Sequence, residues 1–298
     1  VRSRRQRQMC IRDRRNLITP KKSFNKAGIT GFMNILTAIN KKYLPYFAAM
    51  IRSFADNNPG EHTVYIATKE VTDADIEAYR EYLPEQVTFR PVAFKEEILE
   101  GAPTEKRWPK EIYYRIFAAE YLPESVDRIL YMDSDIIVKG DISDFYNTDF
   151  EDNYFVATTN VHARFLKWFI RVKNGANKNT VYVNTGVLLM NLKKLRKEQD
   201  TEEVLKYIAR RRFFLTLPDQ DVISTLYGHK IKIENGMVYN LNERKIRGWN
   251  RRHRGKDAIG LAHVDEKVKI IHYIGRNKPW NEKYRGILKP YYDKYKVK

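Results

Sequence analysis

Three pairs of aspartates in this chain of 298 residues sit two positions apart: Asp73/Asp75, Asp133/Asp135 and Asp219/Asp221. Two carboxylates held close together repel unless a cation lies between them, and a hard divalent ion so held can take diphosphate oxygens on its open side. Asp73 and Asp75 follow Thr72 at a predicted helix start, where acids complement the helix dipole, so that pair is read as structural. Asp133 and Asp135 flank the small Ser134 at the end of an apolar run, and in extended chain residues two apart point to one side. They form either a divalent-cation site or a solvated turn with two capping carboxylates. Asp219 and Asp221 follow Pro218 at another predicted helix start and either cap it or reach a site.

The elements that must position these residues are legible as alternating β-rich runs and amphipathic stretches, the pattern of an α/β fold with a mostly parallel central sheet. Strands are predicted at Met33–Ile39, Val64–Thr68, Val87–Val92, Arg128–Met132 and Ile136–Val138. Helices are predicted over Tyr43–Phe54, from Thr72, and from Pro109 to Tyr121. Arg128–Met132 runs directly into Asp133, which places the carboxylates at a strand's carboxyl end, where open α/β sheets bind ligands. The second half reads as strands at Tyr154–Thr159, Val181–Met190 and Val268–Tyr273, a charged helix over Leu192–Arg211, and a helix after Pro218. Asn174–Thr180 and residues 242–256 are expected to be mobile loops.

With 43% hydrophobic and 13% aromatic residues the chain can bury a full core. A single cysteine, Cys10, excludes an internal disulfide and a zinc site built on paired cysteines. The net charge of +18 is concentrated: residues 1–15 and residues 242–256 each carry seven basic residues against one acid. Residues 1–15 have no hydrophobic period and resemble a translated sequencing-adaptor remnant, so they are read as a non-native or disordered basic extension. No apolar run suits a membrane span and no secretory signal is visible, so a cytoplasmic protein is expected, with peripheral contact at the inner face of the membrane.

Four blocks in order carry a resemblance. Leu130-Tyr131-Met132-Asp133-Ser134-Asp135 is followed by Val183-Asn184-Thr185-Gly186-Val187-Leu188-Leu189, by Pro218-Asp219-Gln220-Asp221, and by His272-Tyr273-Ile274-Gly275 ending in Lys278-Pro279-Trp280. Together they resemble glycosyltransferase family 8, a retaining group that includes bacterial lipopolysaccharide hexosyltransferases and glycogenin. The likeness spans about residues 32–285. It implies the GT-A fold, a single Rossmann-like nucleotide-sugar-binding domain over 32–285, with residues 286–298 left as a basic tail.

The resemblance also implies roles. Asp133, Asp135 and His272 would hold the metal, for which Mn²⁺ suits the mixed carboxylate and imidazole set and Mg²⁺ is the alternative. Lys278, near the close-approach Gly275, would offer charge to the diphosphate, and Arg115, Ser134, Asn184 and Gly186 would lie at the donor. Ala38, Asn40 and Tyr43 match the nucleotide-contacting first loop, although Asn40 stands where relatives carry an acid. Gln220 would lie on the far face of the sugar and Asp219 would hold its hydroxyls, while Trp280 is read as packing. The implied activity is transfer of a hexose, glucose or galactose, from a UDP-sugar to a hydroxyl on a lipopolysaccharide, another glycan, a glycolipid or a glycoprotein. Two rivals are a basic nucleic-acid-binding protein, motivated by Arg247–Arg254 with Trp249 and His253 interleaved, and an inactive sugar-nucleotide-binding module. The near balance of charge elsewhere speaks against specific nucleic-acid binding. The same arginines are instead expected to touch anionic lipid headgroups through residues 244–256.

Overall fold

The computed structural model describes residues 31–94, 96–99, 110–160, 164–176, 180–253 and 255–297. The basic segment 1–15 with Cys10, the helix start at Pro109, and Arg254 therefore lie outside the described residues, as does part of the expected loop Asn174–Thr180.

The chain opens with β1 (Met33–Ala38), α1 (Leu44–Asn57), β2 (His62–Thr68), the short α2 (Asp73–Glu77) and β3 (Val87–Ala93). Next come α3 (Glu111–Tyr114), a 3-10 turn over Arg115–Phe117, and α4 (Ala118–Tyr121). Then follow β4 (Arg128–Met132), β5 (Ile136–Val138), α5 (Ser143–Tyr146), β6 (Phe155–Thr158), α6 (Arg164–Asn174) and β7 (Asn184–Asn191). The last part comprises α7 (Leu192–Glu198), α8 (Thr201–Arg211), α9 (Pro218–Tyr227), β8 (Ile231–Glu234), α10 (Glu243–Asn250), α11 (Leu261–Lys267), β9 (Ile270–His272) and α12 (Lys289–Asp293).

Seven strands form one sheet in the order β3-β2-β1-β4-β7-β6-β8, in which β7 alone runs against the others. This is the mixed, mostly parallel sheet expected. Its central strands are buried on both faces because their apolar runs do not alternate with polar residues, as helices on both sides require. Strand periodicity sends Ile35, Leu130 and Met132 to a core with α1, and Leu36, Ile129 and Tyr131 to a core with α3, α4 and α9. A second, two-stranded antiparallel sheet pairs β5 with β9.

Four expectations are corrected. The helix expected over 109–121 is split by the tighter turn at Arg115–Phe117, where the arginine side chain turns into the interior. The helix expected over Leu192–Arg211 breaks at Gln199–Asp200, because Asp200 caps α8 by accepting the Glu203 N–H at 3.0 Å. The supposed loop 242–256 contains α10, capped by Asn242, whose side chain accepts the Lys245 N–H at 3.0 Å. The supposed tail 286–298 contains α12 and buries Leu288, Tyr292 and Tyr295 against β9, α10 and α11, so its apolar residues outweigh its charge. β8, α5, α6 and α11 went unforeseen.

Candidate metal centre

Asp133–Asp135 form the turn between β4 and β5. Antiparallel pairing then sets Ile136 opposite His272, and the Tyr273 N–H donates to the Asp135 carbonyl at 3.0 Å. Sheet register thus brings a histidine from far along the chain onto the two carboxylates. His272 Nε2 lies 3.2 Å from Asp135 Oδ1 and 3.6 Å from Asp133 Oδ2. Ligand-capable atoms of all three residues fall within 4.8 Å of one another.

The imidazole is buried, and its other nitrogen, Nδ1, lies 3.0 Å from Asn240 Oδ1. Asn240 is itself oriented, because its Nδ2 donates to Asn184 Oδ1 at 2.8 Å. The amide oxygen therefore faces the ring, Nδ1 carries the hydrogen, and Nε2 is left on the carboxylate side, where its lone pair needs a proton or a cation between it and the carboxylates. With a proton on Nε2 the same contact is an ion pair, and a divalent cation would take that proton's place. Two further observations fit a cation. Asp135 Oδ1 is buried with no hydrogen-bond donor. At Gly186 an added Cβ would stand 2.3 Å from His272 Cε1 and 2.5 Å from Asp133 Oδ2, so any side chain there would fill the space between ligands.

A buried arginine organises the other side of Asp133. Arg115 lies 3.0 Å from Asp133 Oδ1 and 3.2 Å from Asp219 Oδ2, and donates to the Thr185 carbonyl at 3.1 Å. Its guanidinium stacks 4.1 Å over the Tyr131 ring, whose hydroxyl donates to Asp133 Oδ1 at 2.9 Å. Burial works against the arginine's charge, but Asp133, Tyr131 and Asp219 outweigh it and raise its pKa. Asp219 is raised as well: its burial outweighs Arg115, which it shares with Asp133, and the Thr185 hydroxyl that donates to it. At Asp135 the balance is reversed, since His272 in its ion-paired form, together with Lys278, overcomes burial and holds the carboxyl below the usual range. Lys278 Nζ contacts Asp135 Oδ2 and donates to the Tyr273 carbonyl at 2.9 Å. The turn that returns Lys278 passes through Gly275 at φ 89°, a left-handed conformation that favours glycine.

The remaining expected residues are less directly joined. Ala38 ends β1, which runs parallel to β4, so Ala38 and Asp133 share one sheet edge. Asn40 begins the next turn with a buried, unpartnered Oδ1. Tyr43 is exposed, edge-on to Tyr46, and Tyr46 stacks on Trp280 at 3.7 Å, which makes Trp280 a packing residue. Ser134 is buried in the turn. Asn184 Oδ1 is occupied by Asn240 and by the Gly186 N–H at 3.3 Å, so it serves the histidine. Gln220 is half-buried on the first turn of α9 beside Asp219, without a side-chain hydrogen bond among the described residues.

The third aspartate pair divides. Asp219 turns to Arg115, whereas Asp221 accepts from the Thr216 and Leu217 N–H groups at 2.7 and 3.1 Å and is a cap. Asp73/Asp75 is structural as expected: Asp75 closes a capping box with Thr72 and pairs with Lys41 at 2.8 Å. Sequence reasoning missed Asn240 and Tyr131 as supports, and quoted Thr185 without a role. Tyr131 and Thr185 lie inside the quoted blocks, but nothing local marks Asn240. It is brought in by the bridge of Leu241 to Ile271.

Residues 34–284 match the family described as Glycosyl transferase family 8. A lipopolysaccharide 1,2-glucosyltransferase of Escherichia coli is 27% identical over 262 residues, covering 84% of this chain and 73% of the relative. A lipopolysaccharide 1,3-galactosyltransferase of Salmonella typhimurium is 25% identical over 254 residues, covering 83% of this chain and 73% of the relative. Among solved structures, the galactosyltransferase LgtC in complex with donor and acceptor sugar analogs superposes with a TM-score of 0.74 at 22% identity, covering 88% of this chain and 95% of that one.

Proposed function

The chain belongs to glycosyltransferase family 8 and has its GT-A fold, and from that premise we propose a retaining, metal-dependent hexosyltransferase. It would move glucose or galactose from a UDP-sugar to a hydroxyl of a lipopolysaccharide, another cell-surface glycan, a glycolipid or a glycoprotein. The observation that carries this reading is the convergence of Asp133, Asp135 and His272 within 4.8 Å at the carboxyl edge of the sheet. Carboxylates with an imidazole suit Mn²⁺, with Mg²⁺ second. When bound, such an ion supplies Lewis-acid charge to a diphosphate leaving group.

The chain's own groups divide the remaining work. Lys278, on its glycine-hinged turn, offers ammonium hydrogens where negative charge develops on the departing phosphate. Asn40 Oδ1 is free to accept from a base edge, and Asn240 holds His272 in the tautomer a ligand needs. Asp219, fixed by Arg115 and Thr185, is positioned to accept from donor hydroxyls. Gln220 is a neutral amide and a poor nucleophile. This favours front-face attack assisted by the leaving phosphate, with the Gln220 carbonyl oxygen facing positive charge at the anomeric carbon.

Among the described residues no helix is long and apolar enough to cross a membrane. A place at the cytoplasmic face, in peripheral contact with anionic lipid, is supported by the exposed Arg244, Arg247, Arg251 and Arg252, of which all but Arg252 also line a cavity.

A donor screen that measures UDP release with Mn²⁺, with Mg²⁺ and with EDTA tests the reading. UDP-glucose or UDP-galactose should turn over with Mn²⁺ and stop in EDTA, and Asp135→Ala should lose about a thousandfold, several kcal/mol of barrier. Metal-independent turnover, or near-normal turnover by Asp135→Ala, would show the metal assignment to be wrong. A β-linked product from the α-linked donor, read from the anomeric proton by NMR, would sink the retaining mechanism.

A further inference from the structure

Beside the turn that carries Lys278 lies a cavity of about 880 Å³, walled by α10, by Tyr273–Asn277 and by the segment leading to α12. Five arginines line it: Arg244, Arg247, Arg251, Arg276 and Arg285. All five are exposed, and the first four make no ion pair among the described residues. Arg285 donates to the Glu282 and Tyr284 carbonyls at 2.7 and 3.1 Å and keeps its charge uncompensated. The one carboxylate in the lining, Glu243, is spent elsewhere, since its Oε1 accepts the Tyr284 hydroxyl at 3.0 Å and the Leu288 N–H at 2.9 Å. Buried Ile246, Ile259, Tyr273 and Tyr284 form a floor that fixes the wall in place.

Five guanidiniums around one concavity repel one another, and Glu243 is the one carboxylate set against them among the described residues of the lining. A planar guanidinium binds phosphoryl oxygens in bidentate fashion, so converging arginines suit a discrete oxyanion. The curvature matters: a flat bilayer meets a convex or planar patch, whereas a cleft of this volume holds a ligand of one or a few rings. Asn277 adds an amide donor and acceptor of the kind that reads hydroxyls, whereas the Asn250 amide is held by Ile259, donating to its carbonyl at 3.0 Å and accepting its N–H at 2.8 Å. Lys278 and Asp135 do not line the cavity, which separates it from the metal centre, yet Tyr273, Ile274, Arg276 and Asn277 of its wall belong to the turn that leads to Lys278.

We propose that this cavity is an acceptor subsite that takes a phosphorylated glycan, with the phosphoryl group on Arg247, Arg251 and Arg276 and the sugar on the apolar floor. The acceptor role rests on the transferase reading. The oxyanion site itself does not need turnover.

The test is calorimetric titration of the full chain in EDTA with glucose, glucose 6-phosphate and inorganic pyrophosphate, beside co-sedimentation with phosphatidylcholine vesicles containing phosphatidylglycerol. The comparison protein carries R247Q, R251Q and R276Q, all exposed positions, with folding checked by its Tm. Wild type should bind glucose 6-phosphate at least about tenfold more tightly than glucose, and the triple variant should lose that preference. UDP release from UDP-glucose in Mn²⁺ should be unaltered in the variant. Equal affinity for glucose and its phosphate, or undiminished phosphate binding by the variant, would overturn the proposal. So would a variant that loses vesicle binding alone, which would assign the arginines to the membrane. If phosphate binding behaves as expected but no nucleotide sugar releases UDP, the transferase reading fails and the oxyanion site stands.

Discussion

Asn240 does not touch the proposed metal position, yet it decides which nitrogen of His272 faces the carboxylates. Replacing it by leucine removes the acceptor for Nδ1–H and leaves the ring free to take the other tautomer. Asn240→Leu is expected to weaken the Mn²⁺ dependence of UDP release by about 10–100-fold. Asn240→Asp, which keeps an acceptor oxygen, should recover part of it. A half-saturating Mn²⁺ concentration unchanged in the leucine variant would remove Asn240 from the site. Neighbours on α9 separate two further roles. Gln220→Ala should slow transfer by about 10²–10³-fold while leaving donor KM nearly unchanged, as for a lost transition-state contact. Asp219→Ala should raise donor KM and also lower Tm, because Arg115 would lose a buried partner. A Gln220→Ala enzyme changed in KM alone would count against transition-state stabilisation.

Helix α10 shows how one element serves two surfaces. Its outward residues Arg244 and Arg247 reach the arginine-lined cavity, while Lys245 turns inward to donate to the Gly236 and Asn240 carbonyls at 2.7 and 2.9 Å. Burial pushes the Lys245 ammonium down to about 8 from the ordinary 10.5. With the folded-state value lowered, the folded chain gives up this proton before the unfolded chain does. Between about pH 8 and pH 10.5 the unfolded state thus binds more protons, and stability from this group rises with pH. Lys245→Met lacks that rise. The unfolding free energy of wild type relative to the variant should shift in favour of wild type by about 2–3 kcal/mol across the window. Chemical denaturation at several pH values would measure it, and a constant difference would show that the lysine is not desolvated.

At the scale of the whole molecule the two ends of the chain are expected to differ in what they contribute. Leu288, Tyr292 and Tyr295 are buried, and Arg52 donates to the Tyr295 carbonyl at 3.2 Å, so the last residues clamp α1 to the small sheet. Deleting residues 288–298 should cost about 3 kcal/mol or more, roughly the burial of two large side chains, and lower Tm by many degrees. Deleting residues 1–15, which have no apolar period, should leave Tm and donor hydrolysis unchanged. Thermal denaturation of both truncations decides the matter. A large loss on removing residues 1–15 would show that they belong to the fold.

Local pattern determined much of this protein. Runs such as Arg128–Met132 carry their strand identity and burial in composition, and a triplet that follows such a run lies at a ligand-binding edge whatever the rest of the chain does. The four ordered blocks identified the family, because they cover the strand ends and turns at which the fold presents its chemistry. What local pattern could not decide was anything set by register between distant segments. The pairing of β5 with β9 brings His272 to Asp135, and the bridge at Leu241 brings Asn240 to His272. Helix geometry sends Asp219 to Arg115 and Asp221 to a cap, although the sequence presents them as one motif. The arginines of 244–251 read as a loop because charge conceals amphipathicity. Only packing against Leu288 and Tyr292 gave Ile246 a core to enter and turned those arginines around a cavity. Contacts between residues remote in sequence depend on how whole elements fit together, and that fit is absent from any local window.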